Sequence, residues 1–169
     1  KSVYANSKFY CENLLKYYAE PQGISWNSFR MFNVYGPGQD ITKPDQGVVG
    51  IFLNMLLKSN EVFVKGSLER FRDLVYIEDV VNAWTLILES DIKNEIFNIG
   101  TGTKTSFREL INTLSNSLGI NNLKIIESEG SPGDVLGCFA DISKLEKKTG
   151  FQISYNLECG VKEMIKYYS

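Results

Sequence analysis

Histidine is absent from this 169-residue sequence. Without an imidazole, Ser-His-Asp and Cys-His catalysis are excluded within the chain, as are His-rich metal sites. Proton chemistry must then rest on Tyr, Lys, Asp, Glu or Cys. Cysteine is scarce: Cys11, Cys138 and Cys159 form an odd set with no C-x-x-C spacing. Such a set builds neither a disulfide framework nor a zinc site, so no metal is expected and the compartment reads as reducing and cytoplasmic. No apolar run approaches the roughly 18 residues of a spanning helix, so no membrane partner is expected. Charge of one sign is not in excess either. A formal net charge of -2 argues against a general attraction to nucleic acid or to anionic lipid. The opening residues, KSVYANSK, lack the apolar core of a leader peptide. They read as the start of a helix, and the chain is expected to begin inside a longer protein.

What is present is an ordinary globular composition, 43% apolar and 22% charged, in a chain long enough for a real core. Residues 2 to about 20 predict an amphipathic helix ended by Pro21 and Gly23. A β-rich run follows at 24–32, then a turn-rich segment, NVYGPG, at 33–38. After a polar loop at 43–46, VVGIFLNMLLK (48–58) reads as a buried helix. EVFV (61–64) and FRDLVY (71–76) read as two short strands joined through Gly66. Residues 77–90 predict a helix with Glu78 and Asp79 in its first turn, where the macrodipole favours carboxylates. That placement marks them as structural rather than as a catalytic pair. EIFNIG (95–100) is a strand entering a glycine loop, and Ser106 with Glu109 forms a capping box on the next helix. KIIES (124–128) is a strand, SPGD (131–134) a turn, and two short helices close the chain. The alternation predicts an α/β class with some parallel pairing.

Tyr4 and Lys8 stand four residues apart, hence on one helix face, one turn from each other. A phenol with a reference pKa near 10 is a poor base at neutral pH. A nearby ammonium favours the phenolate and brings it towards useful proton transfer. The spacing also arises by chance in a chain rich in both residues, so alone it leaves open an ordinary surface pair. Asn33 can equally be a turn residue before Gly36, and Arg72 beside Asp73 a surface ion pair. Gly100 and Gly102 make a lone G-x-G, a weak phosphate-loop signal.

Taken together the pieces stand in a fixed order: YANSK, then RMFNVYGPG, RDLVYIEDVV, FNIGTG and SPGDV…ADISK. This series resembles the extended short-chain dehydrogenase/reductase family that modifies nucleotide-linked sugars (4-epimerases, 4,6-dehydratases and relatives), and it covers essentially the whole chain. The resemblance implies the C-terminal part of a Rossmann-type doubly wound fold plus the smaller substrate-binding α/β subdomain. Residues 1–40 would finish the NAD-binding domain. Residues 41–169 would form mainly the substrate-binding subdomain, with 71–105 returning to the Rossmann sheet.

The resemblance also implies site residues. Tyr4 matches the family's catalytic base and Lys8 the lysine that holds the nicotinamide ribose and polarises that tyrosine. The backbone at Val34 and Tyr35 lies where the family approaches the nicotinamide of NAD. Asn33 matches a residue near the substrate phosphates, Phe63 to Lys65 a strand bordering the nucleotide base, and Arg72 an arginine clamping the diphosphate. Asp134 matches a ribose-contacting carboxylate. Two positions depart from the family: Ser131 stands where an arginine often grips the diphosphate, so Arg72 alone or a shifted Arg70 must serve. Cys138 stands where a tyrosine would exclude bulk beside the sugar's C2 substituent, which leaves room for an acetamido group, or else Cys138 merely packs.

The mechanism implied is removal of the sugar 4-hydroxyl proton by Tyr4 while hydride leaves C4 for the nicotinamide, giving a 4-keto sugar. An epimerase returns that hydride to the other face, whereas a 4,6-dehydratase first loses water and a decarboxylase of the same family carbon dioxide; a noncatalytic sugar-nucleotide-binding module is the reading from another class. The implied partners are a nucleotide-diphosphate sugar and a second copy of the protein, docked through the helix that carries Tyr4. No glycine-rich dinucleotide turn precedes Tyr4, so the 169 residues alone are expected neither to hold NAD stably nor to turn over.

Overall fold

The structure, a computed structural model, describes residues 3–43, 47–130 and 135–168. The turn at 131–134, with Ser131 and Asp134, and the loop residues 44–46 lie outside the described residues.

Apolar periodicity, more often than a side-chain cap, marks the helices. They are α1 (Val3–Ala19), α2 (Val48–Lys58), α3 (Ile77–Leu88), α4 (Phe107–Ser117), α5 (Ser143–Thr149) and α6 (Leu157–Tyr168). Pro21 sits in a short 3-10 turn after α1, which Gly23 ends at a φ of 66°. Ser106 Oγ accepts from the Glu109 amide at 3.1 Å and caps α4. The strands are β1 (Asn27–Met31), β2 (Asn33–Tyr35), β3 (Glu61–Lys65), β4 (Phe71–Arg72), β5 (Leu74–Tyr76), β6 (Glu95–Ile99), β7 (Thr105–Ser106), β8 (Lys124–Ser128) and β9 (Gly137–Cys138). Pairing is mostly parallel: β1 with β6, β2 with β5, β3 with β8, and β4 with β9, while β7 runs antiparallel to β4. The α/β class and its parallel pairing therefore stand.

Two details differ from the sequence expectation. The segment NVYGPG opens with a strand rather than a turn. The Phe32 amide donates to Ile99 O at 2.9 Å, and the next amide, Asn33, donates to Asp73 O at 3.0 Å. One extended run thus leaves β6 and continues beside β5, which uses up its backbone groups as a strand would. The run FRDLVY changes partners in the same way: Phe71 and Arg72 pair with β7 and β9, Leu74 to Tyr76 with β2, and Asp73 falls at the break. The strand EVFV is not its neighbour but lies in a separate sheet beside β8.

Two apolar cores flank these crossing points. One packs Val75, Val80, Ala83, Ile87, Phe97 and Ile99 with Leu145 and Phe151, joining β5, β6, α3 and α5. The other joins α2, α4 and α6 over β3 through Phe52, Leu53, Val62, Ile111, Leu114 and Met164. Lys144 and Lys148 both grip Glu95 on β6, a hydrogen-bonded pairing that holds its carboxyl down at about 2. Asp79, expected only to favour its own helix dipole, is buried and accepts from the Ser154 and Tyr155 amides at 2.9 and 3.1 Å. Its role is structural, but it ties α3 to the segment before α6. Among the described residues no helix is long and apolar enough to cross a membrane.

Candidate active site

The helix α1 presents Tyr4 and Lys8 on one face, with the Lys8 ammonium 5.4 Å from the centre of the Tyr4 ring. Tyr4 is 71% exposed. Together with Cys11, Glu12 and Leu15 the pair faces Ser28 to Met31 of β1 across a cleft of about 430 Å³. The only residue that α1 buries among those described is Ala19, at its C-terminal end. Its firmest attachment to the sheet is a two-point ion pair. Arg30 Nε donates to Glu12 Oε1 and Nη2 to Oε2, each at 2.7 Å. These bonds hold the Glu12 carboxyl below its usual range and push the Arg30 guanidinium further up. A carboxyl so depressed stabilises the docked helix above the ordinary glutamate range, and this contribution fades as pH falls through the lowered value.

A second group of expected residues gathers where β4 passes between β7 and β9. Arg72 lies in register with Cys138 on one side and with Thr105 on the other. Its guanidinium carbon is 5.5 Å from the centre of the Phe107 ring, and that of Arg70 is 5.1 Å from the same ring. Arg70 Nη1 donates to Lys65 O at 2.8 Å, which brings the end of β3 alongside. Phe63 and Lys65 both occupy the exposed face of β3. Lys104 adds a fourth cation, 4.7 Å from the Phe139 ring and 5.3 Å from the Phe71 ring. Gly137 permits the close pairing of β9, since a Cβ there would stand 2.4 Å from Phe71 O. The result is a set of aromatic rings carrying Arg70, Arg72 and Lys104, with the end of β3 at Lys65 beside it, a setting suited to a diphosphate.

Asn33, Val34 and Tyr35 stand at the strand exchange between the two groups. The Tyr35 side chain is buried against Tyr76, with ring centres 5.6 Å apart, so its phenol belongs to the core. Burial, reinforced by the neighbouring Tyr76 and Asp79 groups, pushes that phenol upward, away from any role as a base. At Tyr35 only the backbone is left to approach a ligand. Asp73, at the same junction, is fully buried. One of its oxygens accepts from the Thr101 amide and hydroxyl, both at 2.7 Å; the other accepts from the Gly102 and Ala140 amides, both at 3.0 Å. The G-x-G loop therefore encloses a carboxylate of the chain itself and has no place for a phosphate. Gly100 allows this approach, because a Cβ there would meet Asp73 Oδ2 at 2.6 Å.

For NAD, Tyr4 and Lys8 offer a hydroxyl and an ammonium on one open face, groups of the kind a nicotinamide ribose can bond. The glycine loop at 100–102 is filled by Asp73 and does not cradle its diphosphate. None of the cations of the second group lines the Tyr4 cleft, and β2, with Asn33 to Tyr35, follows the strand that does. Sequence reasoning missed Glu12, Arg30 and Asp73. For Glu12 a signal existed, since it continues the four-residue rhythm of Tyr4 and Lys8. For Asp73 the cue was a carboxylate inside an otherwise apolar strand.

Residues 1–100 match the profile of the NAD dependent epimerase/dehydratase family. A dTDP-4-dehydro-6-deoxyglucose reductase from Escherichia coli is 33% identical over 96% of this chain and 51% of its own. The crystal structure of UDP-glucose 4-epimerase from Thermotoga maritima, with UDP-glucose, superposes with a TM-score of 0.90 at 35% identity, covering 98% of this chain and 52% of that one. A UDP-N-acetylglucosamine 4-epimerase from Methanobrevibacter ruminantium, in complex with UDP-N-acetylmuramic acid, gives 0.89 at 30% identity, covering 98% and 53%. The chain thus spans about half the length of the relatives that it matches.

Proposed function

This chain belongs to the NAD dependent epimerase/dehydratase family, and on that premise we propose that it supplies the catalytic base and the sugar-nucleotide site of a nucleotide-sugar 4-epimerase. The observation that carries the reading is the Tyr4–Lys8 face, open to a cleft on an otherwise lightly docked helix. Bound NAD supplies a hydride acceptor and, later, a hydride donor. Tyr4 takes the proton of the sugar 4-hydroxyl as C4 is oxidised and returns it when C4 is reduced. Lys8 stabilises the phenolate and orients the nicotinamide ribose, and the backbone of Val34 and Tyr35 borders the ring. In domain terms, residues 1–40 and the returning strands β5 and β6 complete the NAD-binding sheet, and most of 41–169 holds substrate.

Substrate rests on the cation cluster. Arg72 and Arg70 both lie against the Phe107 ring, and their planar guanidinium forks suit a diphosphate. This arrangement lets Arg70 take the part left open at Ser131. In this reading Asn33 serves the phosphates and Phe63 and Lys65 the base, and Asp134, outside the described residues, keeps the ribose role that the resemblance implies. The exposed Phe9, Tyr10, Tyr17 and Tyr18 of α1 suit a helical interface with a second copy, in a cytoplasmic homodimer.

The exposed Cys138, opposite Arg72, leaves space beside the sugar's C2. The full-length protein is therefore expected to interconvert UDP-glucose and UDP-galactose, and the corresponding 2-acetamido pair, when products are separated by anion exchange. Release of a 4-keto-6-deoxy sugar would instead make it a dehydratase. Cys138→Tyr is expected to abolish acetamido turnover and spare the hexoses; equal loss on both would remove Cys138 from the specificity argument.

A further inference from the structure

We propose that the Glu12–Arg30 pair is a positioning device for Tyr4 and Lys8; the proposal rests on reading those two residues as the catalytic face. Tyr4, Lys8 and Glu12 lie at successive four-residue steps, along one ridge of α1. The pair sits about 12 Å of helix from Tyr4, at 1.5 Å per residue. Within this chain α1 buries only Ala19 among its described residues, so the chain's own apolar packing does little to fix its rotation. The two-point contact does fix it. A guanidinium fork meeting both carboxylate oxygens at 2.7 Å sets direction as well as distance. The Glu12 side chain is only 11% exposed, whereas Arg30 is 50% exposed, so the carboxylate is the enclosed member.

The pair also settles a competition of charge. Glu12 has lysines one turn away on either side, Lys8 and Lys16, and both are at helical ion-pair spacing. It takes neither. Lys16 lies 5.8 Å from the Trp26 ring, Lys8 stays over Tyr4, and Glu12 turns to β1. Arg30 thus occupies the carboxylate that would otherwise draw Lys8 away from the phenol. Removing Arg30 should harm the reaction twice, through a looser helix and through a diverted lysine. Removing both partners should harm it only once.

The test uses the full-length protein with UDP-glucose and NAD, comparing Arg30→Met, Glu12→Gln, the double variant and Tyr4→Phe. Arg30→Met is expected to lower kcat about tenfold with KM for the sugar nucleotide within about twofold of the parent, since a small displacement at the reacting centre is costly. The double variant is expected to recover part of that loss, which a merely structural pair would not do. Thermal midpoints, read alongside, separate misfolding from misplacement. Unchanged kcat in Arg30→Met overturns the proposal, as does a double variant no better than the single one, provided that Tyr4→Phe has lost turnover. Turnover that survives Tyr4→Phe overturns the functional reading, and the tether with it.

Discussion

Asp73→Ala is expected to destabilise the full-length protein by about 3–5 kcal/mol, measured by denaturant or thermal unfolding. The buried carboxylate accepts from three backbone amides and a threonine hydroxyl. Each buried donor left unpaired costs about 1–3 kcal/mol, so the upper part of that range needs only two of the four to find no substitute. Water entering the vacated space would satisfy some of them, which keeps the total below the simple sum. Asp73→Asn separates charge from shape. One amide oxygen still accepts, but the NH₂ group now meets amides that themselves donate, and an intermediate loss of about 1–3 kcal/mol is expected. Because Asp73 also joins Arg72, the 101–102 loop and Ala140, the loss should extend to the site. Weaker binding of UDP by Asp73→Asn is the accompanying expectation. A loss below about 1 kcal/mol for Asp73→Ala would show that the carboxylate is not the clasp described.

The legible parts of the fold were those with local causes. The apolar face of α2, the Ser106 cap of α4 and the alternating burial of β3 each follow from residues within one or two turns. The partner changes at Phe32–Asn33 and at Asp73 were not legible. They depend on which distant strand comes alongside: Phe32 donates to Ile99 O but Asn33 to Asp73 O, and the run through Asp73 passes from β7 and β9 to β2. Candidate residues divide in the same way. Tyr4 and Lys8 carry a local spacing, whereas Asp73 finds Ala140, 67 residues on, and Glu12 finds Arg30, 18 residues on. Periodicity records that such side chains exist and not whom they meet. The glycine loop illustrates the cost: its spacing invited a phosphate, and only the fold revealed the carboxylate inside it.

Tyr4→Phe is expected to lower kcat of the full-length enzyme about 10²–10⁴-fold, the range associated with a single positioned proton-transfer group. The substitution isolates that effect because it removes one oxygen and little else. Tyr4 is exposed on the first turn of α1 and lends the core nothing, so unfolding free energy should change by less than about 0.5 kcal/mol. The ring that faces Lys8 at 5.4 Å remains, and with it the local packing of the pair. Arg70, Arg72 and Lys104 gather on Phe71, Phe107 and Phe139, away from the Tyr4 cleft, so KM for a nucleotide sugar should hardly move. A large fall in kcat with KM and stability retained is the pattern of a group needed only as the proton moves. A fall in kcat of less than about tenfold would remove Tyr4 as the base. With no histidine in the chain and the Tyr35 phenol buried and pushed upward, the proton would then have to leave by another group, of which the cleft itself offers Lys8, Cys11 and Glu12.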